Sequence, residues 1–224
     1  MSDNPILRFN GGYCMGDVWT LTNFLLTRSM ELGQPVTLSR KFPPKPESKA
    51  VAYDLMDRIA PMLDCAGSFR WTEEDGTMET DQKRIWGPPH GYARLPLKPH
   101  LLWDGGSSGR IALQLNGVSG GQAKNPPPSD MPRFLALPNT VQIGLPHTLE
   151  ESIAIMRTCR FMIASCSGMS HVAHACRIPL IIIEYHQLIR PWHPAPDDQH
   201  SPWFFAKGTD HALAIAHDLL RKTA

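Results

Sequence analysis

The amino-acid sequence predicts an α/β protein with parallel sheets, and two stretches of the chain support this prediction. Residues 153–185 run from an amphipathic segment into the apolar strand Phe161–Ala164, then through a small polar turn and a short helix into the β-branched strand Leu180–Ile183. Residues 5–38 repeat the order strand, helix and strand. Neighbouring parallel strands need a crossover connection, which is usually a helix, so each stretch predicts a βαβ unit.

The first half of the chain contains the earlier of these units. Ile6–Phe9 predicts a strand, apolar positions recur at helical spacing over Val18–Leu32, and Val36–Leu38 predicts the next strand. Gly33 follows the helix where a C-terminal glycine is expected. Asp17 stands at the start of the helix, where its carboxylate either caps the helix and complements the helix dipole or acts as a general base.

The second half begins with the predicted strand Arg110–Leu115, and a Gly-rich segment ending in Lys124 follows it. This segment lacks the spacing of a Walker A motif, so we expect no ATP hydrolysis, and it fits a diphosphate-binding loop and a plain connection equally well. A further strand and two helices are predicted at Val141–Leu145, Leu149–Arg157 and Thr209–Leu220. Thr148 is the expected N-cap of the first of these helices, and Glu151 completes a capping box.

A turn of small polar residues, Ser165 to Gly168, joins the predicted strand and helix within residues 153–185. Such a turn at the carboxyl edge of a parallel sheet leaves the first N–H groups of the helix without helical partners, and α/β folds bind phosphates there. Serine is also a good N-cap and needs no ligand to explain it, so both interpretations stay open. Cys166 lies in this turn, but no base is placed to make it a nucleophile.

Composition excludes several classes of protein. The 224 residues have a net charge of +1, which gives no electrostatic footprint for nucleic acid. No apolar run is long enough for a membrane span, so we expect a soluble, cytoplasmic protein with at most peripheral membrane contact. Five cysteines without a Cys-x-x-Cys pair predict neither a zinc site nor a disulfide framework. His171 and His174 lie one helical turn apart, but no third ligand is placed beside them, so we expect neither metal nor cofactor.

Leu101–Gly109 has the composition of an interdomain linker, because Gly and Ser residues crowd between apolar runs. We place the domain boundary there, which predicts an N-terminal domain of residues 1–105 and a C-terminal domain of residues 106–224. Residues 40–50 form a basic, Pro-rich segment whose prolines exclude a helix, and we interpret it as a surface loop.

Three motifs, in the right order along the chain, resemble those of the heptosyltransferase-like glycosyltransferases. Tyr13–Val18, with the sequence YCMGDV, is similar to the family's x-x-G-D-V loop. Ile111–Asn116 and the later Lys124 resemble the first strand of the family's second domain and the lysine after it. Cys166–Ala173 is similar to the family's D-S-G-x-x-H-x-A turn and helix, except that Cys166 replaces the family's Asp.

The resemblance implies the GT-B fold, in which two small Rossmann-like domains face a cleft. It also implies metal-independent transfer of a sugar from a nucleotide-sugar donor to an acceptor hydroxyl, on a lipopolysaccharide or another glycan. Asp17 would be the general base, with Gly16, Arg40 and Lys41 on the acceptor side. The residues expected to bind the donor are Lys124, Ser165, Ser167, Gly168, Met169, Ser170, His171 and Glu184.

Two alternatives stay open beside glycosyl transfer. The first is a sugar-nucleotide hydrolase or epimerase on the same fold. The second is a non-catalytic protein that binds a nucleotide sugar, which the short chain and Cys166 at the position of the family's Asp both favour.

Overall fold

The computed structural model describes residues 6–10, 15–39, 57–64, 67, 69–76, 78–81, 97–117, 124–185 and 202–222. The chain divides into two compact units, Met1–Lys98 and Pro99–Ala224, and the described strands of each form one parallel sheet. The predicted α/β class is therefore confirmed. The assignment of residues 1–105 to the acceptor and of residues 106–224 to the donor stays a prediction.

The described elements of the first unit are, in chain order, β1 Ile6–Asn10, α1 Met15–Leu32, β2 Val36–Ser39, a 3-10 turn Ala60–Met62, β3 Phe69–Thr72 and β4 Met78–Asp81. The strands lie in the order β3-β2-β1-β4 and are all parallel. Ile6 of β1 pairs with Thr37 of β2, which confirms the predicted βαβ unit. The sequence predicted neither β3 nor β4.

Helix α1 begins at Met15, earlier than predicted, and ends as predicted. Gly33 has a φ of 65°, and its N–H donates to the carbonyl of Met30 at 3.3 Å. The N–H of Gln34 donates to the carbonyl of Ser29, also at 3.3 Å. These two bonds form a Schellman motif, which needs a residue in the left-handed conformation at the position of Gly33.

The described elements of the second unit are a 3-10 turn Pro99–Leu101, β5 Ile111–Gln114, a 3-10 turn Pro128–Asp130, α2 Met131–Leu135, β6 Thr140–Gln142, α3 Leu149–Met156, β7 Phe161–Ser165, α4 Gly168–Ala175, β8 Leu180–Glu184, β9 Trp203–Lys207 and α5 Gly208–Lys222. The strand order is β6-β5-β7-β8-β9, and all the strands are parallel. β7, α4 and β8 confirm the predicted crossover of residues 153–185.

The central strands of the second sheet are buried on both faces, which explains why they read as continuous apolar runs. Every residue of β5 and of β7 is buried. One face packs against α5, α2 and the segment after α2, and the buried side chains of this cluster are Ile111, Leu113, Leu115, Phe134, Leu137, Phe161, Ile163, Ile181, Ile183, Ala206, Ala212 and Ala216. Small alanines on α5 let this helix lie close to β8 and β9.

The capping box of α3 is confirmed. Thr148 Oγ1 accepts a hydrogen bond from the N–H of Glu151 at 3.1 Å, and the Glu151 carboxylate accepts one from the N–H of Thr148 at 2.8 Å. The bond from the Thr148 N–H lowers the pKa of Glu151. These bonds satisfy N–H groups that have no partner within the helix.

The Gly- and Ser-rich segment Leu101–Gly109 is attached to the second unit by several hydrogen bonds. The backbone N–H of Trp103 donates to the carbonyl of Cys176, and its indole Nε1 donates to the carbonyl of Cys159, both at 2.8 Å. Ser108 Oγ donates to the carbonyl of Thr158 at 2.8 Å. Despite its composition, this segment is therefore part of the fold of the second unit.

Two strands differ from their predictions. The predicted strand Val141–Leu145 is β6, Thr140–Gln142, because Gly144 has a φ of 87° and the next residue, Leu145, is 86% exposed. β9 was not predicted, although it pairs with β8 from Leu180 to Glu184. Its sequence, WFFAK, follows an aromatic, Pro-rich stretch.

We predict that Gly106→Ala destabilises the second unit more than Gly105→Ala does. The φ angles are 86° and 92°, so alanine strains the backbone at either position. An added Cβ at Gly106 would also lie 2.9 Å from the Cα of Arg160, whereas at Gly105 it would meet nothing within 4 Å. We expect losses of about 2–4 kcal/mol and about 1–2 kcal/mol in the free energy of unfolding. Denaturant unfolding measures both, and equal losses would contradict the steric explanation.

Candidate functional site

The carboxyl ends of β5 and β7 form a topological switch point in the second sheet. The chain moves outward from β5 to β6 and then crosses back to β7, on the other side of β5. Connections that leave two neighbouring strands in opposite directions open a crevice at the carboxyl ends of these strands, and ligands bind there in open α/β sheets. The predicted turn from Ser165 to Gly168 follows β7 and therefore lies at this switch point.

Hydrogen bonds join the ends of the two strands. Gln114 Nε2 donates to the carbonyl of Asn116 at 2.8 Å. The amide oxygen of Gln114 is thereby turned toward the Ser167 hydroxyl, which donates to it at 2.5 Å. The proton of the Ser167 hydroxyl is thus used within the protein, so this hydroxyl offers a bound anion no proton in this geometry.

Two more serines of the predicted donor site make internal hydrogen bonds. Ser165 and Ser170 are both 0% exposed. Ser165 Oγ donates to the carbonyl of Leu115 at 2.9 Å, and Ser170 Oγ donates to the carbonyl of Ser167 at 2.6 Å. Both hydroxyls therefore stabilise the turn, and their contact with a donor stays a prediction.

Helix α4 begins at Gly168, directly after the turn, and runs for eight residues. The leading N–H groups of an α-helix have no partner within the helix, and they give its N-terminus a partial positive charge that favours anions. Gly168 and Met169 supply the first two of these N–H groups. The Met169 side chain itself is 6% exposed, so its backbone is the part suited to a ligand.

Lys124 is close enough to the turn to act on its ionisable groups. Burial raises the pKa of the Cys166 thiol to about 11, and the Lys124 ammonium opposes this shift. Burial, then His174, then Lys124 lower the pKa of His171 to about 3. The structure thus brings the Lys124 ammonium near two groups that are uncharged at neutral pH.

Cys166 has no thiolate character, since its pKa of about 11 leaves the thiol protonated at neutral pH. A nucleophilic cysteine needs a lowered pKa. Glu184 contributes to the raised pKa after burial, which places its carboxylate near the same turn. Glu184 is the last residue of β8, as predicted, so it lies at the carboxyl edge of the sheet.

His171 and His174 are both 8% exposed, and their roles differ. The His174 ring packs edge-on against the Trp203 ring, with centroids 4.3 Å apart and an interplanar angle of 84°. His174 is thus a packing residue between α4 and β9. His171 is a neutral imidazole in the first turn of α4, where it is able to donate a hydrogen bond.

The first sheet has its own switch point, between β1 and β4, because the chain moves from β1 to β2 and β3 before it crosses to β4. α1 follows the carboxyl end of β1 and begins at Met15, so Gly16 and Asp17 belong to its first turn. Asp17 is therefore not the N-cap, and both of its expected roles, complementing the helix dipole and acting as a base, stay predictions. Arg40 and Lys41, predicted on the acceptor side, lie outside the described residues.

Sequence reasoning missed three residues at the switch point of the second sheet. Asn125 Oδ1 accepts from the N–H of Gly117 at 2.7 Å, and Asn125 Nδ2 donates to the carbonyl of Gly117 at 3.1 Å. The third is Gln114, which bonds to Ser167. One signal was present, because a polar Gln at the end of the apolar run IALQL needs a buried partner.

Comparison with known proteins shows the fold of the chain. No protein-family model matches it, and no curated protein gives a significant match. The solved structure of TibC, an iron-containing dodecameric glycosyltransferase from enterotoxigenic E. coli H10407, matches with a TM-score of 0.59 and 14% identity, covering 100% of this chain and 78% of TibC. E. coli heptosyltransferase WaaC with ADP matches with a TM-score of 0.51 and 9% identity, covering 98% of this chain and 99% of WaaC.

The chain therefore has the GT-B fold of the heptosyltransferase-like glycosyltransferases. At 14% and 9% identity, these likenesses define its fold, and the predicted resemblance is confirmed at that level. They leave the reaction and the roles of individual residues to the chemistry of the site.

Two further observations concern the described part of the chain. There, no group of three or more His, Cys, Asp and Glu side chains is placed to bind a metal ion. No helix in the same residues combines the length and the apolar character of a membrane span. The predicted metal independence of the reaction stays a prediction.

We predict that burial of His171 makes the protein less stable in acid. Folded His171 stays neutral down to a pKa of about 3, whereas its unfolded value is 6.5. Below pH 6.5, His171 therefore binds a proton in the unfolded state but not in the folded state. As the pH decreases further, the free energy of unfolding falls by about 1.4 kcal/mol per pH unit because of this group. Between neutral pH and about pH 4.5, the free energy of unfolding of His171→Gln should fall less steeply than that of the parent protein. The two slopes should differ by at most the effect of one bound proton, about 1.4 kcal/mol per pH unit.

The control for this prediction is His217→Gln, because His217 is exposed on α5. Denaturant unfolding at several pH values measures the slope for each variant. We expect His217→Gln to keep the slope of the parent protein. A folded His171→Gln protein with the parent slope would contradict the assignment of His171 as a buried neutral group.

Proposed function

We propose that this protein is a glycosyltransferase that moves a sugar from a nucleotide-sugar donor to an acceptor hydroxyl without a metal ion. Its donor diphosphate would bind at the switch point between β5 and β7. The observation that most supports this proposal is that Lys124 and the N-terminus of α4 lie together there, beside two uncharged groups, His171 and Cys166. Helix N-termini bind phosphates through N–H groups, and lysine is a common phosphate ligand.

The proposed chemistry is a displacement at the anomeric carbon of the donor sugar. The acceptor oxygen forms a bond to this carbon while the bond from the carbon to the diphosphate oxygen breaks. Negative charge then grows on the diphosphate, and Lys124 with the first N–H groups of α4 stabilises it. Because this charge is larger in the transition state than in the bound donor, these groups lower the barrier as well as favouring binding.

Asp17 is proposed as the base that takes the proton of the acceptor hydroxyl. A carboxylate within hydrogen-bond reach of a hydroxyl is able to act in this way. Asp17 lies in the first turn of α1, after β1, and β1 is at the switch point of the first sheet. This topological position is the one at which open α/β sheets place functional residues.

The donor is best sought with a panel of nucleotides and nucleotide sugars, beginning with adenine nucleotides because WaaC was solved with ADP. A ligand that binds the folded protein raises its melting temperature. Glu184, at the end of β8, is proposed to accept hydrogen bonds from the ribose hydroxyls, as acidic residues do in dinucleotide-binding folds.

We predict that Lys124→Ala lowers kcat/KM for the donor by about 10²-fold, because it removes a cation that stabilises the leaving diphosphate. Steady-state kinetics with the identified donor measures this change. Lys222→Ala is the matched control, since Lys222 forms an exposed ion pair with Asp218 at the end of α5, at 2.7 Å. Equal kinetics for Lys124→Ala and the parent protein would contradict the proposed diphosphate site.

We predict that Asp17→Asn lowers turnover by about 10²- to 10⁴-fold and leaves donor affinity unchanged, because the base acts on the acceptor. Turnover is measured with donor and acceptor, and affinity by calorimetry with the donor alone. Asp218→Asn on α5 is the control. Parent-like turnover in Asp17→Asn would exclude Asp17 as the base.

A non-catalytic nucleotide-sugar-binding protein is a second candidate, which the uncharged Cys166 favours, since the resembling family has an acid at this position. Product analysis separates the possibilities. Transfer of the sugar to an acceptor supports the proposal, and tight binding without turnover supports the second candidate. Release of free sugar to water would support a hydrolase.

A further inference from the structure

The side chain of Asn125 connects two segments of the second unit that meet at the switch point. Its Oδ1 and Nδ2 bond to the N–H and to the carbonyl of the same residue, Gly117, at 2.7 and 3.1 Å. The side-chain amide of Asn125 thus bonds to both backbone polar groups of Gly117, as a residue of a neighbouring β-strand would. Gly117 lies just after β5, and Asn125 directly follows Lys124, so we refer to these two bonds as the Asn125 clamp.

Gly117 lies in a space with little room for a side chain. An added Cβ there would be 3.3 Å from Asn125 Oδ1 and 3.4 Å from the Cβ of Ser167. A glycine therefore allows the Asn125 clamp to form close to the turn before α4. The Ser167 hydroxyl is itself held by its hydrogen bond to Gln114 at 2.5 Å. The Asn125 clamp therefore lies beside a hydrogen-bonded part of the sheet edge.

We propose that Asn125 is a positioning residue, whose clamp on Gly117 fixes the backbone beside Lys124 and so keeps the Lys124 ammonium at the first turn of α4. This inference rests on the proposed function of that turn as a diphosphate site. Asn125 would act through Lys124 and need not touch the ligand.

The physical reason lies in the flexibility of lysine. Its four-carbon side chain has many rotamers, and ordering it costs conformational entropy. A backbone fixed at the neighbouring residue limits the region that the ammonium explores before a ligand binds. Preorganisation of this kind increases affinity, and it increases stabilisation of charge that develops in the transition state.

A double-mutant cycle tests the proposal through binding of pyrophosphate and of ADP, measured by calorimetry. We expect Asn125→Ala to weaken binding by about 3- to 10-fold. In a Lys124→Ala background the same change should have no further effect, because the residue through which Asn125 acts is absent. Equal losses in both backgrounds would overturn the proposal. Asn116→Ala is the matched control, since the Asn116 side chain is exposed in the same segment.

Two measurements without a ligand separate this inference from the proposed function. Hydrogen exchange at the Gly117 N–H should become faster in Asn125→Ala relative to the other protected amides of the second unit. The NMR signal of ¹³C-methylated Lys124 should move toward that of a free lysine, and neither change should occur in Asn116→Ala. If Asn125→Ala behaves like the parent protein in both measurements, the positioning role of Asn125 is contradicted. If the parent protein itself fails to bind pyrophosphate or ADP, the proposed function is contradicted instead.

Discussion

The parallel pairing of β5 with β7 is the constraint on which the candidate site depends. Its register runs from Ile111 opposite Phe161 to Gln114 opposite Ala164. This register brings the segments that follow β5 and β7 together at the carboxyl edge of the sheet. Their polar groups lie in a mostly apolar setting, where a polar group without a partner costs free energy. The bonds of Ser165 to Leu115 and of Ser167 to Gln114 meet this requirement and fix the direction in which α4 starts.

The fold was predictable where its signal is local. The strand, turn and helix around residues 153–185, the capping box at Thr148 and the glycine end of α1 all depend on residues close in sequence, and all are confirmed. β4 was not predictable in this way, because its sequence METD has no apolar alternation and its strand state depends on pairing with β1. Pairing between distant segments overrides local propensity.

The turn between β7 and α4 was predictable from the sequence, but the hydrogen bonds of its serines were not. Ser165, Ser167 and Ser170 were expected to contact a donor, which stays a prediction, and the sequence did not indicate that their hydroxyls donate to groups of the protein. A serine hydroxyl bonds to whatever acceptor folding brings near it, and two of these acceptors, on Leu115 and Gln114, lie about 50 positions away. The roles predicted for Gly168 and Lys124 depend less on such partners, since backbone N–H groups and an ammonium attract anions in any context, and these roles stay predictions.

The charges near the turn before α4 would affect the affinity for a diphosphate more than they affect turnover. With Cys166 protonated and His171 neutral, the Lys124 charge and the dipole of α4 would act on the proposed diphosphate without a carboxylate at position 166, while the Glu184 carboxylate lies near the same turn. An acid there would repel the anion before and after the sugar leaves, so its absence strengthens binding of donor and of product diphosphate alike. The part of this gain that is equal in the bound donor and in the transition state does not raise kcat, and tight binding of the product diphosphate slows product release. High nucleotide affinity is therefore expected from a binding protein and from an enzyme alike, and substitution of the proposed base, Asp17, is the change that separates the two candidates.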